Sequence, residues 1–210
     1  MARTVFLVTL LVTFLLAPRI ASGQRVVALD ASVGFASGAQ RVAVSAWLPL
    51  TTVLDRLTVS GGARLTSYSG EAGTFANRGT VIGSLTPTLV FAPQVVGLNL
   101  AIQAELAVVG PLSVGFNIDV AGVAIGPDQR SAGLLARVQR GSLLLGGSPD
   151  VGALNSEMYV AWSIVPTVTV RAGTSHYVTN YDVSDPAATT PAAKYQQFKT
   201  VPFVAVSWRF

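Results

Sequence analysis

The central stretch of the chain, Leu98 to Ile125, is LNLAIQAELAVVGPLSVGFNIDVAGVAI, two alternating runs that meet at Gly110-Pro111. In the first run, apolar side chains occupy the even positions, and small or polar side chains occupy the odd positions. In the second run, the even positions from Val114 to Val120 are again apolar. An alternation with a period of two predicts two β-strands joined by a turn.

The length and composition of these two runs indicate membrane strands. Each run reaches about 11 residues, which is enough for a tilted strand to cross a bilayer. The less apolar face carries small residues and a few carboxylates and amides. A soluble β-sandwich would carry Lys, Glu and Thr on that face, whereas the narrow interior of a membrane barrel needs compact side chains. The stretch therefore predicts two strands of a transmembrane β-barrel.

The composition of the whole chain agrees with a membrane barrel. Of the 210 residues, 50% are hydrophobic and only 11% are charged, whereas soluble domains have about 25% charged residues. Beyond the amino terminus, the sequence has no run of 18 or more apolar residues of the kind that predicts a transmembrane helix. The chain contains no cysteine, so it has neither disulfides nor a lipid-modified cysteine.

The amino terminus has the pattern of a secretory signal. An apolar run from Thr4 to Ala17 follows Arg3, and small residues follow it. This pattern predicts a signal peptide, residues 1–23, cleaved before Gln24. A membrane anchor is the alternative, but the run is short and ends at Pro18-Arg19. Cleavage leaves 12 basic against 10 acidic residues, a net charge of +2, so we expect no nucleic-acid partner.

Eight strands follow from the same alternation along the mature chain, residues 24–210. Connections after the second, fourth and sixth strands are short, whereas those after the third, fifth and seventh are long, at about 69–97, 126–153 and 179–197. Short periplasmic turns and long surface loops are typical of outer-membrane barrels. We therefore predict an all-β fold, an eight-stranded antiparallel up-and-down transmembrane β-barrel, with both termini in the periplasm. Pro49, which cannot donate to a β-ladder, is expected to end the second strand.

The carboxyl-terminal strand carries apolar residues at alternate positions, namely Val204, Val206, Trp208 and the terminal Phe210. This resembles the last strand of bacterial outer-membrane proteins, whose aromatic final residue is recognised by the barrel-assembly machinery. With the signal and the loop pattern, the whole mature chain resembles the small OmpA-type barrels. The resemblance implies a place in the Gram-negative outer membrane, with outer-membrane lipid and the assembly machinery as partners.

Polar and charged side chains on the inward face form a predicted lumen network. Its members are Asp30, Arg64, Gln103, Glu105, Asn117, Asp119, Glu157, Arg171 and Arg209. Four carboxylates could serve acid–base catalysis or a cation path, but unpaired charges inside a barrel are costly. An eight-stranded interior is only just wide enough for side chains to fill. We therefore interpret the set as a paired network and expect no continuous water channel.

The register of the central hairpin follows from the same alternation of even and odd positions. If Gln103, Glu105, Asn117 and Asp119 all face inward, residues directly opposite one another have numbers with an even sum. A three-residue turn, Gly110-Pro111-Leu112, satisfies this condition and places Gln103 opposite Asp119 and Glu105 opposite Asn117. Asp119 is then expected to accept a hydrogen bond from Gln103, with Arg64 as the cation for Glu105.

The sequence offers little support for catalysis or cofactor binding. His176 is the only histidine, and parity points it outward while the adjacent Ser175 points inward. No outward acid lies nearby. The outer wall therefore lacks the nucleophile, base and acid on one side that a hydrolase site needs. We find no metal-ligand spacing and no phosphate loop. We therefore expect no cofactor, no metal and no enzymatic activity.

The predicted function is that of a non-enzymatic outer-membrane barrel, either an envelope structural protein or a surface-interaction module. One alternative is a narrow transport module for small hydrophobic molecules, in which the apolar segment Val81 to Val96 lines the entrance. A second is a lipid-modifying enzyme based on His176. On the surface side, Arg130, Arg137 and Arg140 could contact lipopolysaccharide phosphates or a surface ligand, or lie in a solvated loop.

Overall fold

A computed structural model of the chain describes residues 27–77, 88–131, 133–144, 152–185 and 193–210. The predicted signal, residues 1–23, lies outside the described residues. Within these ranges the chain forms thirteen strands: β1 (Ala28–Ala36), β2 (Ala39–Val53), β3 (Leu57–Gly70), β4 (Gly73–Asn77), β5 (Thr88–Phe91), β6 (Gln94–Val109), β7 (Leu112–Ile125), β8 (Gln129–Ser131), β9 (Leu134–Val138), β10 (Gly141–Leu143), β11 (Ala153–Val165), β12 (Val168–Ser184) and β13 (Ala193–Arg209). In the described ranges there is no helix long and apolar enough to cross a membrane.

Eight long strands close into a barrel. Their order is β1, β2, β3, β6, β7, β11, β12 and β13, and β13 returns to pair with β1. All of these pairings are antiparallel. Each barrel strand thus lies beside the preceding barrel strand in the chain, and no barrel edge is left unpaired. The predicted eight-stranded antiparallel up-and-down barrel is confirmed.

The outer surface of the barrel is apolar. On β6, for example, Leu98, Leu100 and Ile102 are exposed while the residues between them are buried. Aromatic side chains mark the two borders of this surface on β13, Phe198 at one end and Trp208 at the other, ten positions apart. A tilted strand crosses a bilayer in about 9–11 residues, and aromatic girdles flank the lipid-facing band of such barrels. The outer surface is therefore that of a transmembrane barrel.

Some strands are longer than the sequence pattern predicts. The expectation that Pro49 ends β2 is wrong. Pro49 is paired with Ser60, and beyond a bulge at Leu50 the strand continues, with Thr51 opposite Val59, to Val53. Much of the expected connection 179–197 is also strand, since β12 and β13 remain paired up to Val183 and Ala193. The Asn, Asp and Thr residues of this segment are typical of a loop, so the sequence pattern did not predict its alternating inward residues. These include Tyr181 and Val183, both buried.

The central hairpin differs from its predicted form. Its turn has two residues, Gly110-Pro111, because Val109 pairs with Leu112, and Gly110 supplies the positive φ of 54°. The predicted three-residue turn is therefore wrong. A bulge between Ala107 and Val109 places one extra residue in β6. Beyond the bulge, inward-facing residues of β6 and β7 again lie opposite one another.

The bulge also sets the register of the polar residues. Gln103 lies opposite Asn117, and Glu105 lies opposite Gly115. The even-sum rule holds for these pairs, but the register is displaced by two residues from the predicted one. All four polar side chains keep their inward direction, as the alternation requires.

At the end of the barrel opposite the Gly110-Pro111 turn, the connections form a second structure, which we call the cap. It comprises β4, β5, β8, β9 and the adjoining ends of β12 and β13, in the order β5, β4, β13, β12, β9, β8. Ser131 Oγ of β8 donates to Val90 O of β5 at 2.9 Å, which links the two outer strands. We call this the loop end of the barrel, and the end with Leu54–Arg56, Gly110-Pro111 and Pro166-Thr167 the turn end.

Candidate functional site

The middle of the lumen is filled by two arginines and two carboxylates from four different strands. Arg41 of β2 forms an ion pair with Glu157 of β11. Arg64 Nη1 of β3 lies 3.1 Å from Asp119 Oδ1 of β7, and its Nη2 lies 3.6 Å from Glu157 Oε2. All four side chains are almost completely inaccessible to solvent. Opposite charges therefore neutralise one another across the barrel.

Amides complete the bonding of these carboxylates. Asn117 Nδ2 donates to Glu157 Oε2 at 2.7 Å and its Oδ1 accepts from Arg64 Nη2 at 2.5 Å. Asn99 Nδ2 donates to Asp119 Oδ2 at 2.8 Å, and the backbone N–H of Asn155 donates to the same oxygen at 3.0 Å. Charge-assisted hydrogen bonds of this kind fix side chains more firmly than a single ion pair does.

Closer to the turn end lies a further buried ion pair. Arg171 Nη2 of β12 is 2.5 Å from Asp30 Oδ2 of β1, and the indole N–H of Trp47 donates to the same carboxylate oxygen. The Arg171 guanidinium also lies over the Tyr159 ring, 4.6 Å from its centroid. A cation over an aromatic face gains electrostatic stabilisation when it is removed from water.

Two large aromatic side chains of the lumen are seated against glycines of neighbouring strands. Tyr159 pairs with Gly115, and a Cβ added at Gly115 would lie 2.2 Å from Tyr159 Cζ. Trp47 pairs with Gly62, where an added Cβ would lie 2.6 Å from the indole ring. The narrow lumen holds these rings only because the facing positions have no side chain.

Another ion pair, Glu105 with Arg209, lies at the turn end with Arg209 Nη2 3.4 Å from Glu105 Oε1. Ser113 Oγ donates to Glu105 at 3.0 Å, and the Tyr159 hydroxyl donates to it at 3.2 Å. Gln103 in turn donates to that hydroxyl. Unlike the deeper pairs, this pair is partly exposed to solvent.

This ion pair borders a cavity of about 510 Å³ at the turn end, which we call the basal cavity. Its walls combine hydroxyl, amide, charged and aromatic side chains, contributed by Trp47, Thr52, Thr58, Ser60, Gln103, Glu105, Thr167, Thr169, Arg171, Ser207, Arg209 and Phe210, together with Ala28, Pro49 and Pro166. Arg171, whose guanidinium pairs with Asp30, is the one member of the buried pairs in its wall.

The loop end of the lumen is closed by aromatic packing. Tyr68 and Tyr177 stack with ring centroids 4.4 Å apart. Beyond them, in the cap, Phe75 and Phe91 stack at 4.0 Å, and Tyr181 meets both rings edge-on. Burial raises the pKa of Tyr181 to about 12, so its hydroxyl remains neutral. In the described part of the chain, charged pairs thus occupy the middle of the lumen and aromatic rings close its loop end.

The structure places all nine predicted network residues on the inward face, but two predicted partnerships are wrong. Asp119 accepts from Arg64, Asn99 and Asn155, not from Gln103. The cation beside Glu105 is Arg209, not Arg64. The two-residue displacement of the hairpin moves Asp119 away from Gln103, and Arg64 lies opposite Asn99 in its pairing with β6, several residues from Glu105.

Sequence reasoning missed Arg41, which is completely buried and holds Glu157. The signal was present, because Arg41 has the same parity as the inward residues Ala43, Ser45 and Trp47 of β2. Its position at the expected start of the strand concealed it. With Arg41 included, the ion pairs described above contain four arginines and four carboxylates.

The remaining predicted positions lie outside the lumen. His176 faces the outer wall, with Nδ1 3.0 Å from Thr200 Oγ1 and its ring stacked on Phe198. Ser175 faces inward and donates to Asn155 Oδ1 at 2.5 Å. The two residues therefore point to opposite sides of the wall. Among the described residues, no group of His, Cys, Asp and Glu could hold a metal ion.

Charged and apolar positions near the two ends are also exposed. Arg130, Arg137 and Arg140 are all exposed at the loop end, where Arg137 Nε lies 3.2 Å from Asp128 Oδ2. On β13, Val204, Val206 and Trp208 face outward, and the Phe210 N–H donates to Val27 O at 3.0 Å. The terminal residue thus extends the pairing between the last strand and the first.

No protein-family model matches the sequence, and no curated protein sequence matches it. Solved structures with a similar backbone include the outer-membrane protein Ail of Yersinia pestis, with 8% identity, a TM-score of 0.40 and coverage of 89% of this chain and 100% of that chain. A major outer-membrane protein of Thermus thermophilus has 13% identity, a TM-score of 0.38 and coverage of 88% and 98%. The outer-membrane protease OmpT of Escherichia coli has 10% identity and a TM-score of 0.38; 82% of this chain is covered, against 64% of that chain. By its own strand order and apolar outer surface, the chain is a small β-barrel of the outer-membrane type.

Proposed function

We propose that the protein is a sealed, non-enzymatic outer-membrane barrel that carries its cap on the cell surface as a structural or interaction module. The observation that carries this proposal is the double closure of the lumen. Buried ion pairs occupy the lumen, with Arg41 joined to Glu157 on the opposite wall and Arg64 joined to Asp119 two strands away. Beyond them, the aromatic side chains of the cap fill the loop end.

The membrane location is supported by the outer surface. A closed barrel satisfies every backbone ladder internally, which is the condition for β-strands to span lipid. The apolar band and its aromatic borders have the dimensions of a bilayer crossing. The short turns face the periplasm in this proposal, and the cap with Arg130, Arg137 and Arg140 faces outward.

The cap does not support the alternative of a hydrophobic entrance at Val81 to Val96. Residues 81–87 lie outside the described residues. In the described part of the segment, Leu89, Phe91 and Val95 are buried in the aromatic cluster. These side chains fold over the mouth of the barrel and fill the space that an apolar solute would need.

The outer wall does not support the alternative of a lipid-modifying enzyme. The described partners of His176 are a threonine hydroxyl and an aromatic ring. A serine hydrolase needs a nucleophile and an orienting acid on the same side as the base. Ser175 is buried on the other side of the wall.

Cysteine labelling in intact cells tests the location and the orientation. The chain has no cysteine of its own, so single substitutions at Ala76 in the cap and Thr167 at the turn end report one site each. Both positions are exposed. We expect a membrane-impermeant maleimide to label Ala76→Cys in intact cells and Thr167→Cys only after the outer membrane is permeabilised. The reverse pattern, or recovery of the protein outside the outer-membrane fraction, contradicts the proposal.

A further inference from the structure

The basal cavity is large enough for a small ligand and has both charged and hydroxyl side chains in its walls. We propose that it binds a short peptide with free termini, a zwitterion, which enters from the turn end. The cavity volume of about 510 Å³ lies within the usual range of small-molecule sites, roughly 300–1,000 Å³. This inference goes beyond the proposed role of the barrel, because it requires binding at one end and no passage through the lumen.

The Glu105–Arg209 pair is the one lumen ion pair in the described residues that a solute can reach easily. Its side chains are 18% and 40% exposed, whereas those of the Arg171–Asp30 and Arg64–Asp119 pairs are at most 3% exposed. A partly hydrated pair is the one for which an incoming ligand can compete.

The mixture of charges in the cavity favours a zwitterion over an ion of one sign. A simple anion would meet the carboxylate of Glu105, and a simple cation would meet Arg209 and Arg171. Like charges brought together at a binding site reduce affinity and select against such ligands. A ligand that offers its ammonium group to Glu105 and its carboxylate to Arg209 satisfies both walls at once.

The other lining residues fit the peptide units between the two termini. Six hydroxyl side chains surround the cavity, those of Thr52, Thr58, Ser60, Thr167, Thr169 and Ser207, with the amide of Gln103 beside them. Hydroxyls and amides can both donate and accept hydrogen bonds, as backbone N–H and C=O groups require. A neutral saccharide would use the same groups but not the charged pair.

The test is a titration of the full mature barrel in lipid nanodiscs, followed by amide resonances of Gln103, Ser207 and Arg209 in ¹⁵N spectra. The probe is trialanine with free termini, compared with trialanine acetylated and amidated at its ends and with maltose. We expect saturable shifts with free trialanine and about hundredfold weaker binding of the blocked peptide, since two charge-assisted contacts, each contributing about tenfold, are lost. No saturable shift, equal binding of the blocked peptide, or preferential binding of maltose overturns the proposal.

Two variants locate the site. Glu105→Gln and Arg209→Gln should each weaken trialanine binding about tenfold, whereas Arg137→Gln, which alters an exposed pair at the loop end, should leave it unchanged. Unchanged binding in both cavity variants refutes the assignment. The comparison of free with blocked peptide uses the unmodified barrel, so it decides the proposal even if a variant does not fold. Bilayer conductance tests the sealed lumen separately.

Discussion

Arg41 and Glu157 are 116 positions apart in the chain and form a buried ion pair across the lumen. They lie on β2 and β11, which are separated in the barrel by β3, β6 and β7. Their contact therefore spans the interior instead of joining neighbouring strands. Glu157 is also the carboxylate that lies within 3.6 Å of Arg64, so one acid serves two arginines.

Glu157→Gln should destabilise the barrel strongly. The change leaves Arg41 and Arg64 to share the single charge of Asp119 in a buried site, and breaking a buried pair on one side costs about 3–5 kcal/mol. Urea unfolding in lipid vesicles, followed by tryptophan fluorescence, measures the free energy of unfolding. The matched control is Asp128→Asn, which removes the acid of an exposed pair and should change that free energy by less than about 0.5 kcal/mol. Equal effects of the two variants would show that the lumen pair is not structural.

The sequence predicts the barrel well because successive side chains of each strand alternate between lipid and lumen. A strand in the wall has one face in lipid and one in the lumen, so parity alone placed Asp30, Glu157 and Arg171 inside. Parity carries no information about bulges, however. A single extra residue beside Val109 changed the partners of Asp119 and Glu105 without changing the direction of either side chain.

The cap could not be predicted in the same way. Its strands are short, and some of its inward residues, such as Tyr181 and Val183, alternate with Asn, Asp and Ser in a segment with the composition of a loop. Their pairing depends on contacts with distant segments, as in Tyr181 opposite Val138. Arg41, by contrast, was predictable, since the parity of β2 already placed it inside.

Disulfide cross-linking should distinguish the observed hairpin register from the predicted one. Ile102 lies directly opposite Ile118, and paired Cα atoms in an antiparallel ladder lie about 4.5–5.5 Å apart, within disulfide reach. Ile102→Cys with Ile118→Cys should therefore cross-link efficiently. Ile102→Cys with Val120→Cys is the comparison pair for a three-residue turn. Faster oxidation of the second pair contradicts the bulge beside Val109.

Gly115→Ala should destabilise the barrel and disturb Tyr159. The added methyl group would overlap the Tyr159 ring and displace the hydroxyl that bonds to Gln103 and Glu105. Overpacking of this kind costs about 1–3 kcal/mol. Gly141→Ala is the control, because nothing lies within 4 Å of a Cβ at that position. Similar free energies of unfolding for the two variants would contradict the seating of Tyr159 against Gly115.

Phe91→Ala should loosen the cap while the barrel remains folded. Phe91 is 4% exposed and stacks on Phe75, and truncation of a buried Phe costs about 3–5 kcal/mol. Limited proteolysis in lipid vesicles should cleave the cap of this variant faster and leave the strands below it protected. Val90→Ala alters the neighbouring side chain, which is 55% exposed, and should behave like the unmodified protein. Cleavage at the same rate in both variants would mean that the aromatic cluster does not hold the cap closed.

The closed lumen is tested most directly by the ionic conductance of the unmodified barrel in a planar bilayer, with a porin reconstituted in the same way as the positive control. Buried ion pairs occupy the middle of the described lumen, and buried aromatic rings lie above them at the loop end. We therefore predict insertion without a stable conducting level. A reproducible open state of the unmodified protein, with a defined single-channel conductance, would contradict this account.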